Sequence, residues 1–154
     1  ITSQDEERHR QQCVRIDAGD HLLGHRDDPI NQPLAILSNI SKSLKKRAKV
    51  ILTVLNATFM IRRFTNQDVA EGRFNPLTME EASELPPRER MLPIKMRERA
   101  FVPTELTLLC RLAGLDVQNI WGGTAGKWGR RNIDLDEIEL MLVAQKISDP
   151  KTLK

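Results

Sequence analysis

Three groups of residues have the types and spacing to do chemistry. The first is Asp20, His21, His25, Asp27 and Asp28, which place two imidazoles and three carboxylates in one short run. His21 and His25 are four apart and would share a face on a helix, as a pair of metal ligands requires. Gly24 between them and Asp27-Asp28-Pro29 just after them argue for a loop instead, where that spacing fixes no common face. A polar loop lining a pocket is the reading these residues favour, with no metal assigned. The second group is Gly122, Gly123, Thr124, Ala125, Gly126, Lys127, Trp128 and Gly129, which looks like a phosphate-binding loop. Its spacing is one residue short, Trp128 stands where Ser or Thr would hold magnesium, and no helix follows to receive a phosphate. A connection between two antiparallel strands accounts for the glycines. The third is Asn56, at the end of an apolar run. Ligands of open α/β sheets bind beyond the carboxyl ends of strands, which makes Asn56 a site candidate by position. Capping the next turn explains an asparagine there equally well. No Ser-His-Asp or Cys-His arrangement is present, and no G-x-S-x-G turn.

The elements that must position these groups read as follows. Residues 1–12 are almost entirely polar and without period, which predicts a disordered start. Cys13, Val14 and Ile16 form a short strand candidate closed by Ala18 and Gly19. Residues 33–46 form a helix, with Pro33 in its first turn and Leu34, Leu37, Ile40, Ser41 and Leu44 on one face. Val50 to Leu55, VILTVL, is β-branched and apolar on both sides, as an interior strand of a parallel sheet would be. Residues 57–93 fit the period of no single element and are too long for a plain connection; they read as an insertion over the carboxyl edge of the sheet, a lid or substrate-selecting arm. Ile94 to Phe101 alternates apolar and charged residues, which predicts a short exposed strand.

Residues 101–146 read as a complete folding unit. Pro103 begins a helix, Glu105 lies in its first turn, Leu106, Leu109, Cys110 and Ala113 form its buried face, and Gly114 stops it. Leu115 to Trp121 follows as a strand with Leu115, Val117 and either Asn119 or Trp121 inward, and Ile138 to Ala144 is a second apolar strand.

Composition sets the outer limits. The chain has 154 residues, enough for one core. No apolar run approaches the roughly 20 residues of a membrane span and no leader pattern opens the sequence, so a soluble, cytoplasmic protein without membrane contact is expected. Cys13 and Cys110 lie far apart with no paired spacing, which predicts two reduced thiols rather than a disulfide or zinc site. The net charge is +3, yet Lys42 to Lys49 holds five cations and Arg88 to Arg99 five more. Such clusters could meet nucleic acid. Interleaved Glu89 and Glu98, and the lack of a stacking series of aromatic residues, favour an ordinary solvated surface.

Together these elements resemble the carboxyl half of class I S-adenosylmethionine-dependent methyltransferases. In that family the domain commonly ends T/P-x-E-L-x-x-L-x-x-x-A-G-F, then a strand, then a segment like E-x-x-x-x-V-A-x-K. The corresponding stretches are PTELTLLCRLAGLDV and DEIELMLVAQK. NISKSLKKRAKVILTVLNA is similar to the family's helix, its LKPGG turn and its next buried strand, although Leu44-Lys45-Lys46-Arg47-Ala48 lacks that turn's proline and glycines.

The resemblance implies an α/β fold, a partial Rossmann-like sheet whose strands correspond to 4-5-7-6 of the family order 3-2-1-4-5-7-6, the last strand antiparallel. It implies S-adenosylmethionine as cofactor, Asp20 and His21 bordering it, Asn56 bordering an unidentified methyl acceptor, and the 57–93 insert selecting that acceptor. The family's glycine-rich cofactor loop and its ribose-holding acid have no counterpart here, so weak or absent cofactor binding and little activity are expected of this chain alone. The strand near Cys13–Ala18 would be an open edge, which predicts pairing with another copy or marginal stability. The alternative is a non-catalytic remnant that binds a partner through its basic surface.

Overall fold

A computed structural model describes residues 12–13, 31–85, 94–124, 127 and 129–151. The polar start through residue 11, and the segment holding Asp20, His21 and His25, lie outside the described residues.

The fold is α/β, a seven-stranded mixed sheet with two helices on one face. Its centre is β2 (Lys49–Asn56), the VILTVL run. On one side β2 pairs antiparallel with β7 (Glu139–Lys146) over Lys49 to Leu55, and β7 pairs antiparallel with β6 (Leu115–Gly123). On the other side two strands share one edge. β1 (Gln12–Cys13) runs parallel beside Val50 and Ile51, and β5 (Ile94–Phe101) runs parallel beside Leu55 and Asn56. The order β1-β2-β7-β6 is that expected from the sequence, and β7 runs opposite to its neighbours.

Helix α1 (Asn31–Ser43) starts two residues before Pro33 and ends three before Lys46. The chain turns into β2 through Arg47, whose φ of 69° is the left-handed conformation that a glycine adopts most easily. The amide of Arg47 donates to the Lys146 carbonyl at 2.9 Å and Gln145 Nε2 donates to the Arg47 carbonyl at 2.8 Å. Those two bonds hold a turn that its own sequence specifies poorly.

Helix α4 (Pro103–Leu112) buries Leu106, Leu109 and Cys110, the face its periodicity predicts, and the adjoining Ala113 is buried too. That face packs with Leu34, Leu37 and Leu44 of the α1 segment onto Val50, Leu52, Leu142 and Ala144 of the sheet, forming the main core. Burial pushes the Cys110 thiol up to about 12, because the thiolate would lose its hydration with nothing to replace it. In a Cys13→Ser variant, the remaining thiol is therefore expected to resist dithionitrobenzoate at pH 8 until denaturant is added; rapid labelling of the native chain would contradict this packing.

β6 departs from simple alternation. A bulge between Val117 and Asn119 shifts its register on β7, so the inward residue after Val117 is Ile120, opposite Leu142, rather than Asn119 or Trp121. A bulge puts two residues of one strand against one of its partner and so reverses the parity beyond it.

Of residues 57–93, the described part, 57–85, carries structure of its own. A short helix α2 (Ala57–Met60), a 3-10 turn (Ile61–Arg63) and helix α3 (Asn66–Ala70) lead to β3 (Phe74–Asn75) and β4 (Glu80–Leu85). β3, β4 and β5 form an antiparallel ladder. β4, sequence EEASEL, has little strand propensity; the register sets Glu80 opposite Arg99 and Glu84 opposite Lys95, favourable pairs that outnumber the like-charged Glu81 and Glu98 facing each other between them. β5 is accordingly an interior strand with Ala100 and Phe101 buried, not the short exposed strand that its charges predict. A second small core of Ala57, Met60, Phe74 and Ala100 holds this arm. No helix among the described residues is long and apolar enough to cross a membrane.

Candidate functional site

The carboxyl end of β2 is where the arm, the main sheet and the connection between β6 and β7 meet. Asn56 is fully buried there. Its Oδ1 accepts from the Thr58 amide at 3.2 Å and from Thr58 Oγ1 at 2.8 Å, which caps α2. Its Nδ2 donates to the Glu137 carbonyl at 2.8 Å, and its backbone amide donates to the Ile138 carbonyl at 2.9 Å. The residue located by its place at a strand end is thus a clamp between α2 and the segment entering β7. Both polar atoms of the side chain have partners within the protein, so Asn56 shapes this end of the sheet through what it holds.

The facing wall is residues 131–138. Asp134 Oδ1 accepts from the amides of Asp136 and Glu137, at 2.8 and 3.0 Å, which fixes a tight turn. The Glu137 side chain is buried and lies against Gly122, where an added Cβ would sit 2.4 Å from Glu137 Cγ. Gly122 is therefore required for close approach within a strand, and the glycine-rich stretch is a connection between antiparallel β6 and β7. Arg131 Nε stands 3.6 Å from Glu137 Oε1. From the arm, Arg62 Nη1 donates to the Leu135 carbonyl at 2.6 Å and to Asp136 Oδ1 at 2.8 Å, tying the arm to this wall a second time.

Within the arm, Thr65 and Asp68 form a reciprocal cap on α3, and Arg73 binds Asp68. The hydrogen bonds from the Thr65 hydroxyl and amide, then that from Arg73, hold the Asp68 carboxyl down at about 2 from an ordinary 3.8. Since the folded value lies below the unfolded one, this cap contributes stability above the unfolded value and loses it as pH falls from about 4 through about 2. A carbon-detected titration of the Asp68 side chain should give a midpoint near 2; a midpoint at the ordinary carboxylate value would show the cap absent in solution.

The sequence pointed to Asn56 and to an antiparallel connection between β6 and β7, although Gly122 and Gly123 lie within β6 itself; it did not point to the 131–138 wall or the Arg62 tie. Neither has a sequence signal, since both join residues more than 70 positions apart. Asp20 and His21 are outside the described residues. Among the described residues, no group of three or more His, Cys, Asp or Glu side chains could hold a metal ion. At this end of the sheet both polar side-chain atoms of Asn56 are engaged with Thr58 and Glu137.

No protein-family model matches the sequence, and no curated protein matches it. Solved structures do. The chain is similar to the CcbJ methyltransferase from Streptomyces caelestis, with a TM-score of 0.55 and 15% identity over 73% of this chain and 52% of that one. It is similar to a SAM-dependent methyltransferase from Methanosarcina mazei, with a TM-score of 0.54 and 15% identity over 78% and 53%. It is also similar to an S-adenosylmethionine-dependent methyltransferase from Clostridium acetobutylicum, with a TM-score of 0.50 and 8% identity over 79% and 55%. The chain spans about half the length of these structures. Strand order, the direction of β7 and these likenesses agree: the chain has the fold of part of a class I S-adenosylmethionine-dependent methyltransferase.

Proposed function

We propose that this chain is the carboxyl-terminal, acceptor-side part of a methyltransferase. The observation that carries the reading is the order β1-β2-β7-β6 with a structured arm leaving the carboxyl end of its central strand. When bound, S-adenosylmethionine would supply an electrophilic methyl group for in-line displacement. The protein's part in such chemistry is placing the nucleophile and excluding water. Asn56 holds the floor of the acceptor side by clamping α2 to residues 137–138, the 57–93 arm selects the acceptor, and Asp20 and His21 border the cofactor. The cofactor's remaining contacts would be those of the family's glycine-rich loop and ribose-holding acid, which have no counterpart in this sequence. Pairing of the Cys13–Ala18 edge with a second copy belongs to the same reading.

Calorimetry with S-adenosylhomocysteine tests it. The chain alone is expected to show no saturable binding below millimolar concentration, and the chain extended by the coding sequence upstream of Ile1 is expected to bind it. Micromolar binding by the chain alone would overturn the partial-site reading, and no binding by the extended chain would overturn the methyltransferase reading. The rival, a binding module, draws on the exposed cations Lys42, Lys45, Lys46, Arg47 and Lys49; steeply salt-dependent retention on heparin would favour it.

A further inference from the structure

The arm contains a concavity of about 390 Å³ that the fold alone does not require. We propose that it binds the flat, uncharged, apolar body of a small molecule; resting on the methyltransferase reading, that molecule is the methyl acceptor.

Phe64 and Phe74 stack with centroids 4.5 Å apart and planes within 6°. Phe74 is buried in the arm's small core and Phe64 packs against that core, so the aromatic wall is fixed before any ligand arrives. Ile61, Val69 and Pro76 complete the apolar lining. Ile61 and Val69 are 45% and 39% exposed, and they come from different short elements that converge on one hollow. Single exposed apolar residues are ordinary; several lining one concavity of ligand size are the usual composition of a small-molecule site.

The lining contains no ionisable side chain. Of the nearby charges, Asp68 is engaged with Thr65 and Arg73, Glu71 with Arg73, and Arg62 with Asp136, while Arg63, next to Phe64, is exposed and does not line the hollow. A charged ligand body would lose hydration there without compensation. Thr65 and Asn66 are the polar lining residues. The Thr65 hydroxyl is engaged with Asp68, which leaves the Asn66 amide to orient a ligand. The hollow is also well placed. Ile61 lies five residues after Asn56, on the segment that leaves the carboxyl end of β2 directly.

The test uses the whole chain, nitrogen-15 labelled, titrated with 2-naphthol and separately with naphthalene-2-sulfonate. Neutral 2-naphthol is expected to shift amides of residues 61–76, and the sulfonate to bind at least about tenfold more weakly. Ile61→Asp and Val69→Asp should each weaken 2-naphthol by about tenfold or more, whereas Leu108→Asp, on the exposed face of α4, should leave it unchanged. Equal binding of the two probes, or binding insensitive to both aspartate variants, would overturn the site. The assay needs no methyl donor. Binding at this hollow by a chain whose extended form takes no S-adenosylhomocysteine would leave the site standing and remove its acceptor role. Methyl transfer unaffected by Ile61→Asp and Val69→Asp would remove the hollow's acceptor role and leave the methyltransferase reading.

Discussion

Gly114→Ala is expected to lower the unfolding free energy by about 3–5 kcal/mol, the upper range for a single substitution. Two separate costs act at this position. Gly114 has φ +78°, where any side chain is strained by about 1–2 kcal/mol. An added Cβ would also stand 2.2 Å from the Ser148 carbonyl oxygen and 2.8 Å from its carbon, which are backbone atoms that cannot rotate away. The Gly114 carbonyl accepts from the amides of Ile147 and Ser148, at 3.0 and 3.2 Å, so relieving the clash would break the contact that docks the chain after β7 against the end of α4. Gly72→Ala separates the two costs. Gly72 has φ +73° but open space around it, so it should show the conformational cost alone, near 1 kcal/mol. Urea denaturation of both variants checks this. A loss at Gly114 no larger than that at Gly72 would mean that the chain after β7 does not pack as described.

Asn56→Ala should cost about 2–4 kcal/mol. It removes an N-cap, worth about 1 kcal/mol, and leaves the buried Glu137 carbonyl without its side-chain donor, worth a further 1–3 kcal/mol or so. Asn56→Asp tells the cap from the clamp. The carboxylate can still accept from Thr58, but it cannot donate to Glu137 and would carry a buried charge beside a carbonyl oxygen. At pH 7 it should be worse than alanine. Burial raises the folded pKa of the introduced acid above its unfolded value, so its penalty is present above that folded value and shrinks as pH falls toward about 4, where both states are protonated. Denaturant midpoints at pH 7 and pH 4 give the comparison. An Asn56→Asp protein as stable as wild type at pH 7 would contradict the clamp.

How much of this was legible in the sequence depended on how local the determinants were. Helix α4 could be read nearly residue by residue because Pro103, the spacing of Leu106, Leu109, Cys110 and Ala113, and Gly114 all act within one helix. β2 was legible as an interior strand from VILTVL, but an apolar run records burial and not the direction of its neighbours, so the antiparallel pairing with β7 was legible only through the resemblance to the methyltransferase family. The arm resisted reading because its elements are two to six residues long and its β4–β5 pairing is written in charges on separate strands. The bulge in β6 had no composition signal, and one inserted residue was enough to exchange Trp121 for Ile120 on the core face. Of the candidate site, Asn56 was visible as a position and its cap on the next turn as one of two readings, but its bond to Glu137 was not; the Phe64–Phe74 wall joins residues ten positions apart and follows no period.

The pairing of Leu55 with Ala100 and Asn56 with Phe101 has a consequence for descent with modification. The arm departs from the sheet and returns to it at neighbouring backbone positions, about one strand spacing apart. A segment joined to its host at two adjacent points can be lengthened, shortened or exchanged while the host ladder keeps its register, much as inserted domains are tolerated where chain ends lie close together. Between Asn56 and Phe101, then, the chain can be rewritten wholesale while β2, β7 and β6 keep their register.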